Sequence, residues 1–511
     1  MRVAVVGGGP GGLFFATLLR RADPSGEVTV FERNRADDTF GFGVVFSDRT
    51  LAGIHESDPV LREALATHGR HWDDIEVRLK GERIRCSGNG MAAIARQTLL
   101  TLMQARAREL GAELRFSTEV GLDDLDAHDL VVAADGAGSR IRERLADGLG
   151  TSVETATAKF IWFGTDYMFD GLTFVHARGP DGVFAVHGYP ISDAVSTFIV
   201  ETDEASWRRA GLDEFDVLQP PGPSDEITKE YLEKLFAEQI DGRQLLTNNS
   251  RWGNFRTRRT QRWHALAPRP VALLGDAVHT AHFSVGSGTK MAMEDAVALA
   301  AALTAHGDLP TALAAYEEAA QPSVEAIQDS ARPSLAWWEH FGRSHDAFEP
   351  WQFAYHFLSR SISHARLARR APDFARSSHE QWVRRHGAEP LQSALEVDGR
   401  RLPGRVVVVG PERDLPLPAA WVQAPDGEGG LPAAIAELDR AVASSPALVA
   451  VHGGTAHMRT LLTEQARLEH GVPALLVDDD LDRDWAVTAV LSGRTDLVGI
   501  SAQTAASWET A

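Results

Sequence analysis

The chain opens on a five-residue β-branched apolar run, Arg2 to Val6, which breaks into glycines. A helical pattern follows from Gly12 to Arg21, and then a second short apolar run, VTVFE, from Val28 to Glu32. Continuous apolar runs of this length mark strands covered on both faces of a parallel sheet, and the order strand, turn, helix, strand is that of a βαβ crossover. A buried strand running straight into a turn recurs in DLVVAADGAGSR from Asp129 and RPVALLGDAVHT from Arg269. Open parallel sheets bind ligands at the carboxyl ends of their strands, so these three turns are expected to meet around one ligand.

Between them, residues 160–254 alternate apolar and polar positions, as in TFIVE at Thr197 to Glu201, which predicts an antiparallel sheet. From Met291 to about Trp382 the pattern is helical and rich in Ala, Arg and Trp. Pro, Gly and charge then coincide in LEVDGRRLPGRVVVVGPERDLPLPAAW from Leu395, the composition of a boundary. Beyond it VVVVG at Val406, ALVAVHGG at Ala447, PALLV at Pro473 and TDLVGI at Thr495 alternate with helical segments. The expected fold is α/β. A Rossmann-like nucleotide-binding domain takes residues 1–159 and 255–330, and an inserted antiparallel-sheet substrate domain takes 160–254. A helical segment spans 331–394, and a small C-terminal α/β domain spans 404–511.

Composition narrows the function. At 44% hydrophobic and 24% charged residues the chain is an ordinary globular protein, and its 511 residues require several cores. A formal net charge of -20 repels nucleic acid and anionic lipid, so an anionic ligand needs a local basic patch. The single cysteine, Cys86, excludes a disulfide framework and a multi-cysteine metal site. No run approaches the ~18 apolar residues of a spanning helix. We therefore expect a cytoplasmic protein with no metal, no membrane and no nucleic acid among its partners.

Gly7, Gly9 and Gly12 stand in the spacing GxGxxG between the first strand and helix, with Glu32 and Arg33 closing the second strand. Glycines there let the backbone turn tightly and approach a pyrophosphate at a helix N-terminus, and the acid about twenty residues on can bind an adenosine ribose. Glu32 disfavours a ribose phosphate at this spot. Asp135-Gly136-Ala137-Gly138-Ser139 with Arg142 forms a second constellation, and Gly275-Asp276-Ala277 with His279, Gly286, Ser287 and Gly288 a third, ahead of a helix. That helix would direct its positive end at any ligand that accumulates negative charge there.

With these motifs the chain resembles the single-component FAD-dependent aromatic hydroxylases of the para-hydroxybenzoate hydroxylase type, over about Met1 to Trp382. The resemblance implies an FAD cofactor, with Asp276 at the ribityl chain and the loop Gly286, Ser287, Gly288 under the flavin pyrimidine. It assigns Asp135, Arg96, Gln97 and, in GFGVVFSDRTL, Arg49 to the cofactor side. Phe283 and Lys290 depart from the proline and asparagine that many members carry. Together with WFGT at Trp162 and HGYP at His187, GDAVHTAHFSVGSGTKMAMEDA is similar to the aryl-coenzyme A branch, the salicylyl-CoA hydroxylases and the monooxygenase half of anthraniloyl-CoA monooxygenase/reductase.

The implied reaction is hydroxylation of an aromatic ring with O2 and NADH or NADPH, through a flavin hydroperoxide, with salicylyl-CoA 5-hydroxylation as the leading expectation. Anthraniloyl-CoA, a free aromatic acid, or non-oxygenating flavin chemistry are the alternatives. No second GxGxxG follows a strand, so the nicotinamide is expected to meet the flavin only transiently. His282, His187 and Tyr189 are the candidates nearest the chemistry, since removing a ring hydroxyl proton assists electrophilic attack. The phosphates of a CoA thioester point to arginine clusters: Arg258 and Arg259 with Arg256 and Arg262, and Arg369 and Arg370 with Arg366. The end of the chain, HGVPALLVDDDLDRDWAVTAVLSGRTDLVGIS, resembles the last βα units of an old yellow enzyme barrel, which implies a barrel remnant; a thioredoxin-like appendage is the rival. A homodimer is the oligomer considered.

Overall fold

The computed structural model describes residues 1–510 except 40, 217–221, 287, 411 and 414, and only the backbone of 55, 285 and 510. The chain divides into two compact units, Met1–Glu76 with Asn89–Glu339, and Val77–Gly88 with His340–Ala511. Among the described residues no helix is long and apolar enough to cross a membrane.

In the first unit a parallel sheet is built from β1 (Arg2–Val6), β2 (Glu27–Phe31), β3 (Glu113–Arg115) and β4 (Leu130–Ala133). The long strand β5 (Thr151–Thr165) opens a second sheet with β6 (Leu172–Gly179), β7 (Gly182–Pro190), β8 (Ser196–Thr202), β9 (Leu245–Leu246) and β10 (Gly253–Thr260). The chain then returns to the first sheet through β11 (His264–Ala265) and β12 (Val271–Leu273), in the order β11, β12, β4, β1, β2, β3. Because β12, β4 and β1 are parallel neighbours, the three expected turns emerge side by side at one edge. Helix α1 (Pro10–Ala22) covers the sheet with Leu13, Phe14 and Phe15, all within 1% of full burial.

The second sheet is antiparallel, in the order β9, β5, β8, β7, β6, and β10 also pairs with β5. Side chains alternate between its faces. Ile161, Val200 and Val186 align across three strands and join Phe163, Phe198, Leu232 and Phe236 in one core. The other face carries two rows: Phe160, Glu201, Ala185 and His176, and Trp162, Ile199, His187 and Phe174. The expected boundary at 159/160 falls inside β5, which pairs through it with β8 and β10. The expected edge at 330/331 falls inside a 39-residue helix, Leu309–Ala347.

The second unit corrects the separation of the helical segment from the C-terminal domain. The helices from His340 onward form one compact unit with the final sheet. The physical reason is a buried polar joint: Arg494 donates to the His356 carbonyl at 2.6 Å and the Ser359 hydroxyl at 3.1 Å, and lies 3.2 Å from Glu464. The sheet contains β13 (Val406–Val408), β14 (Ala419–Gln423), β15 (Leu448–His452), β16 (Ala474–Val477) and β17 (Leu497–Ile500), all parallel, in the order β13, β17, β16, β15, β14. Each strand from β14 to β17 lies beside its successor, the arrangement that βαβ units wound in one direction produce.

Candidate active site

The edge where β1, β4 and β12 end is built for a nucleotide. Gly7 holds φ +114, and a Cβ there would lie 2.1 Å from the Ala134 carbonyl oxygen. A Cβ on Gly12 would lie 2.2 Å from the Gly7 carbonyl oxygen, so these two glycines let strand, turn and helix pack. Gly9 is different: a Cβ there meets nothing within 4 Å, which leaves an opening above the N-terminus of α1. Glu32 accepts from the Gly8 and Asn34 backbone N–H groups at 2.8 Å each, which fixes its carboxylate beside the turn. Arg33, next along, is exposed.

From β4, Asp135 caps the following turn by accepting from the Arg140 N–H at 2.9 Å, while its buried Oδ1 has no hydrogen-bond partner among the described residues. From β12, Asp276 reaches solvent although protein crowds around it, as a carboxylate lining a cleft must. Desolvation raises its pKa, against the opposing pull of His279, Arg96 and Arg258. Asp295 braces the same turn, accepting from the Gly275 N–H at 2.9 Å and meeting His279 at 2.7 Å.

Arg96 begins the helix Arg96–Glu109, half-buried and within the field of Asp276; Gln97 beside it is exposed, as is Arg49 in the first turn of Asp48–Ser57. Gly286 adopts φ +64, and a Cβ on Gly288, where the helix Gly288–Ala305 starts, meets nothing within 4 Å. Ser287 lies outside the described residues. The open backbone at Gly9 and Gly288, the orphaned Asp135 oxygen and the cleft-facing Asp276 fit a flavin adenine dinucleotide. Replacing Asp276 by Ala removes charge-assisted hydrogen bonds of about 1.5–3 kcal/mol and is expected to weaken FAD binding at least ~tenfold in a titration of apoprotein. Unchanged affinity would exclude Asp276 from the cofactor.

The three catalytic candidates share one neighbourhood. His187 and Tyr189 are two apart on β7 and therefore point to the same face of the antiparallel sheet. His282, from the loop after β12, comes within 3.5 Å of Glu201, which is 1% exposed and lies 2.7 Å from His187. Burial acts to raise the Glu201 carboxyl, but His282 and His187 outweigh it and hold the group below the usual range. Tyr189 stacks on Trp72, and burial pushes its phenol up to about 12. At neutral pH it can donate a hydrogen bond but cannot accept a proton.

Phe283 ties this face to the loop ahead of Gly288–Ala305. Its ring lies 5.0 Å from Phe160, 5.6 Å from Trp162 and 5.6 Å from His187, and His187 is 4.5 Å from Trp338. These rings form an apolar, aromatic surface around the Glu201 pair.

The first arginine cluster does not form as expected. Arg258 and Arg259 are consecutive on β10 and point to opposite faces; Arg258 is buried and donates to the Asp276 carbonyl at 3.3 Å, while Arg259 pairs with Asp329 at 2.9 Å. Alternation along a strand prevents the pair from gripping one phosphate group together. Arg369 and Arg370 end the helix His364–Arg370 of the second unit, both exposed.

The family model described as FAD binding domain matches residues 1–129 and 124–331. The chain belongs to that FAD-binding family. A salicyloyl-CoA 5-hydroxylase of Streptomyces sp is 57% identical over 98% of this chain and 99% of its own length. A 3-hydroxy-4-methyl-anthranilyl-[aryl-carrier protein] 5-monooxygenase of Streptosporangium sibiricum is 37% identical over 66% of this chain and 89% of its own. Among solved structures, p-nitrophenol 4-monooxygenase from Pseudomonas putida DLL-E4 shares the fold with a TM-score of 0.55 at 19% identity, covering 73% of this chain and 95% of that one. The tetrameric form of 2-methyl-3-hydroxypyridine-5-carboxylic acid oxygenase gives 0.53 at 20% identity, covering 71% and 98%. The chain is an FAD-dependent monooxygenase.

In this flavoprotein the sequence motifs pointed to the nucleotide end and missed most of the aromatic face. Glu201, Phe174, Trp338, Ser334 and Asp295 were not singled out. Glu201 closes the TFIVE segment, where an acid reads equally well as a solvated strand end. Of the two departures from the family pattern, Phe283 is central to the aromatic surface, whereas Lys290 pairs with Glu294 one turn along its helix at 2.6 Å.

Proposed function

We propose that this monooxygenase hydroxylates an aromatic ring carried as a coenzyme A thioester, with salicylyl-CoA 5-hydroxylation as its reaction. The observation that carries the reading is the aromatic surface around Phe283, joined on one side to the cofactor loop and on the other to buried imidazoles. A flat apolar ring fits between such side chains, and a ring hydroxyl finds nearby nitrogen bases. Two relatives support the carrier-bound substrate, since one is named for a CoA derivative and the other for an aryl group on a carrier protein.

NADH or NADPH supplies the electrons and O2 the inserted oxygen, and bound FAD supplies the oxygen-transfer chemistry. The protein's part is local. Asp276, Glu32 and the glycine turns hold the nucleotide, the aromatic side chains orient the ring and exclude water, and the imidazoles hold the proton that leaves a ring hydroxyl.

The test pairs each free aromatic acid with its CoA thioester and follows NAD(P)H and oxygen use. The thioester is expected to be turned over with at least ~tenfold higher kcat/KM, since its remote nucleotide adds binding energy. Its KM should also rise with salt as the Debye length falls from ~10 Å at 0.1 M to ~3 Å at 1 M, with kcat nearly unchanged. Equal efficiency with the free acid would refute the thioester assignment.

A further inference from the structure

A donor on the aromatic surface lacks an acceptor among the described residues. Trp162 stands between Ile161 and Phe163 on β5; those two enter the core, so alternation turns Trp162 to the opposite face, in register with Ile199 and His187. Its ring lies 5.6 Å from Phe283. Its Nε1–H is buried and makes no hydrogen bond among the described residues. Buried indole N–H groups ordinarily find an acceptor, as Trp252 does at the Thr228 hydroxyl (2.8 Å) and Trp263 at the Thr260 carbonyl (3.0 Å). Trp72 and Trp207 also lack one, but their rings lie against Tyr189 and Lys159 rather than Phe283. The nitrogen-bearing edge of Trp162 faces the Gly41 turn and the cofactor side. A Cβ built on Gly41 would lie 4.0 Å from Trp162 Cε2, the carbon bonded to Nε1, and 3.8 Å from Arg96 Nη1. Apart from its chain neighbours, nothing else described comes within 4 Å of that point, so a small group has room beside the indole edge.

We infer that Trp162 is a specificity-determining residue for the aromatic substrate: its indole N–H donates to the ring oxygen ortho to the thioester and so selects a hydroxyl over an amino group. An indole nitrogen is a donor only, so the group that completes it has to present a lone pair. The ortho oxygen of a salicylyl thioester presents one even while its own hydrogen is turned to the thioester carbonyl. An aromatic amine presents N–H bonds instead, and its lone pair is delocalised into the ring. An anthraniloyl thioester therefore leaves the indole N–H buried and unpaired, which costs it affinity. When the ring hydroxyl ionises, its O–H bond breaks, the electron pair stays on oxygen and the proton passes to solvent. The N–H bond to that oxygen then strengthens, because a charged acceptor makes the stronger bond, and the Arg96 guanidinium adds positive charge to the same space. The donor thus favours the ionised ring, the form in which electrophilic attack is assisted.

This inference rests on the reading of the substrate as an aryl thioester with an ortho hydroxyl, and its test measures binding rather than turnover. The oxidised, FAD-loaded enzyme is titrated without NAD(P)H with salicylyl-CoA, anthraniloyl-CoA and benzoyl-CoA, followed by the flavin absorbance. Wild type should bind salicylyl-CoA at least ~tenfold more tightly than the other two. Trp162→Phe, which keeps an aromatic ring against Phe283, should lose about tenfold in affinity for salicylyl-CoA and little for the others, the scale of one hydrogen bond. The pH at which the bound hydroxyl ionises, read from its phenolate absorbance, should rise in Trp162→Phe, because the lost donor favoured the charged form. The sulfur isostere 3-benzothienylalanine at position 162, which keeps the shape and removes the N–H, should reproduce both effects. Equal losses for all three thioesters would place the N–H on their shared carbonyl, and weakened FAD binding with unchanged thioester affinities would place it on the flavin. Either result overturns the ring-oxygen assignment, as does an unaltered preference for salicylyl-CoA. If wild type binds none of the thioesters, the thioester reading fails, and salicylate, anthranilate and benzoate decide the role of Trp162 by the same comparison.

Discussion

Gly9→Val is expected to purify folded and without its yellow colour. Gly9 has φ -77 and ψ 176, extended backbone that any residue adopts, and a side chain there meets no protein atom within 4 Å. Nothing in the protein therefore resists the substitution. The isopropyl group instead fills the opening above the N-terminus of α1, where the backbone has to approach a pyrophosphate and the helix end has to face its charge. FAD affinity should fall at least ~100-fold, about 2.7 kcal/mol, while the melting temperature of the apoprotein stays close to that of wild-type apoprotein. Stoichiometric FAD surviving gel filtration would contradict the assignment of this glycine turn.

Gly7→Ala should fail in the opposite way. Its Cβ would lie 2.1 Å from the Ala134 oxygen and 2.9 Å from the Asp135 nitrogen, both backbone atoms of the turn that follows β4, and its φ of +114 is strained for any side chain. Relief requires β1 and β4 to separate where Val6 pairs with Ala133. We expect a loss of at least ~3 kcal/mol, the scale of combined overpacking and backbone strain, and a melting temperature lower by roughly 3–5 °C. Calorimetry of the apoprotein measures this without involving the cofactor. A melting temperature unchanged from wild type would mean that the turn is looser than described. Two glycines of one motif thus separate into one that folds the turn and one that keeps it open.

How much of this was legible beforehand follows from what each feature depends on. The turns at Gly7, Asp135 and Asp276 announce themselves locally, because a buried strand ending in Gly or Asp has few other meanings, and parallel pairing then brings them to one edge. The Glu201 pair depends on register. Glu201 and His187 come together through the alignment of β7 with β8, and His282 arrives from a loop 81 positions further along the chain. Nothing in the local pattern of TFIVE distinguishes a buried acid from a solvated strand end. Arg258 and Arg259 misled for a related reason: a run of basic residues reads as a patch, but a strand sends neighbours to opposite faces. The merging of residues from His340 with the final sheet was hidden because its joint, Arg494 to His356 and Ser359, links positions far apart in sequence.

The central claim, an FAD monooxygenase that inserts oxygen into a CoA-bound aromatic ring, is tested most directly by turnover of salicylyl-CoA under ¹⁸O2. The account predicts NAD(P)H and O2 consumed in equal amounts and a hydroxylated thioester carrying one ¹⁸O atom, with little hydrogen peroxide. Oxidation of NAD(P)H that yields only peroxide with salicylyl-CoA and with every other aryl-CoA thioester, or a product whose new oxygen comes from water, would contradict it.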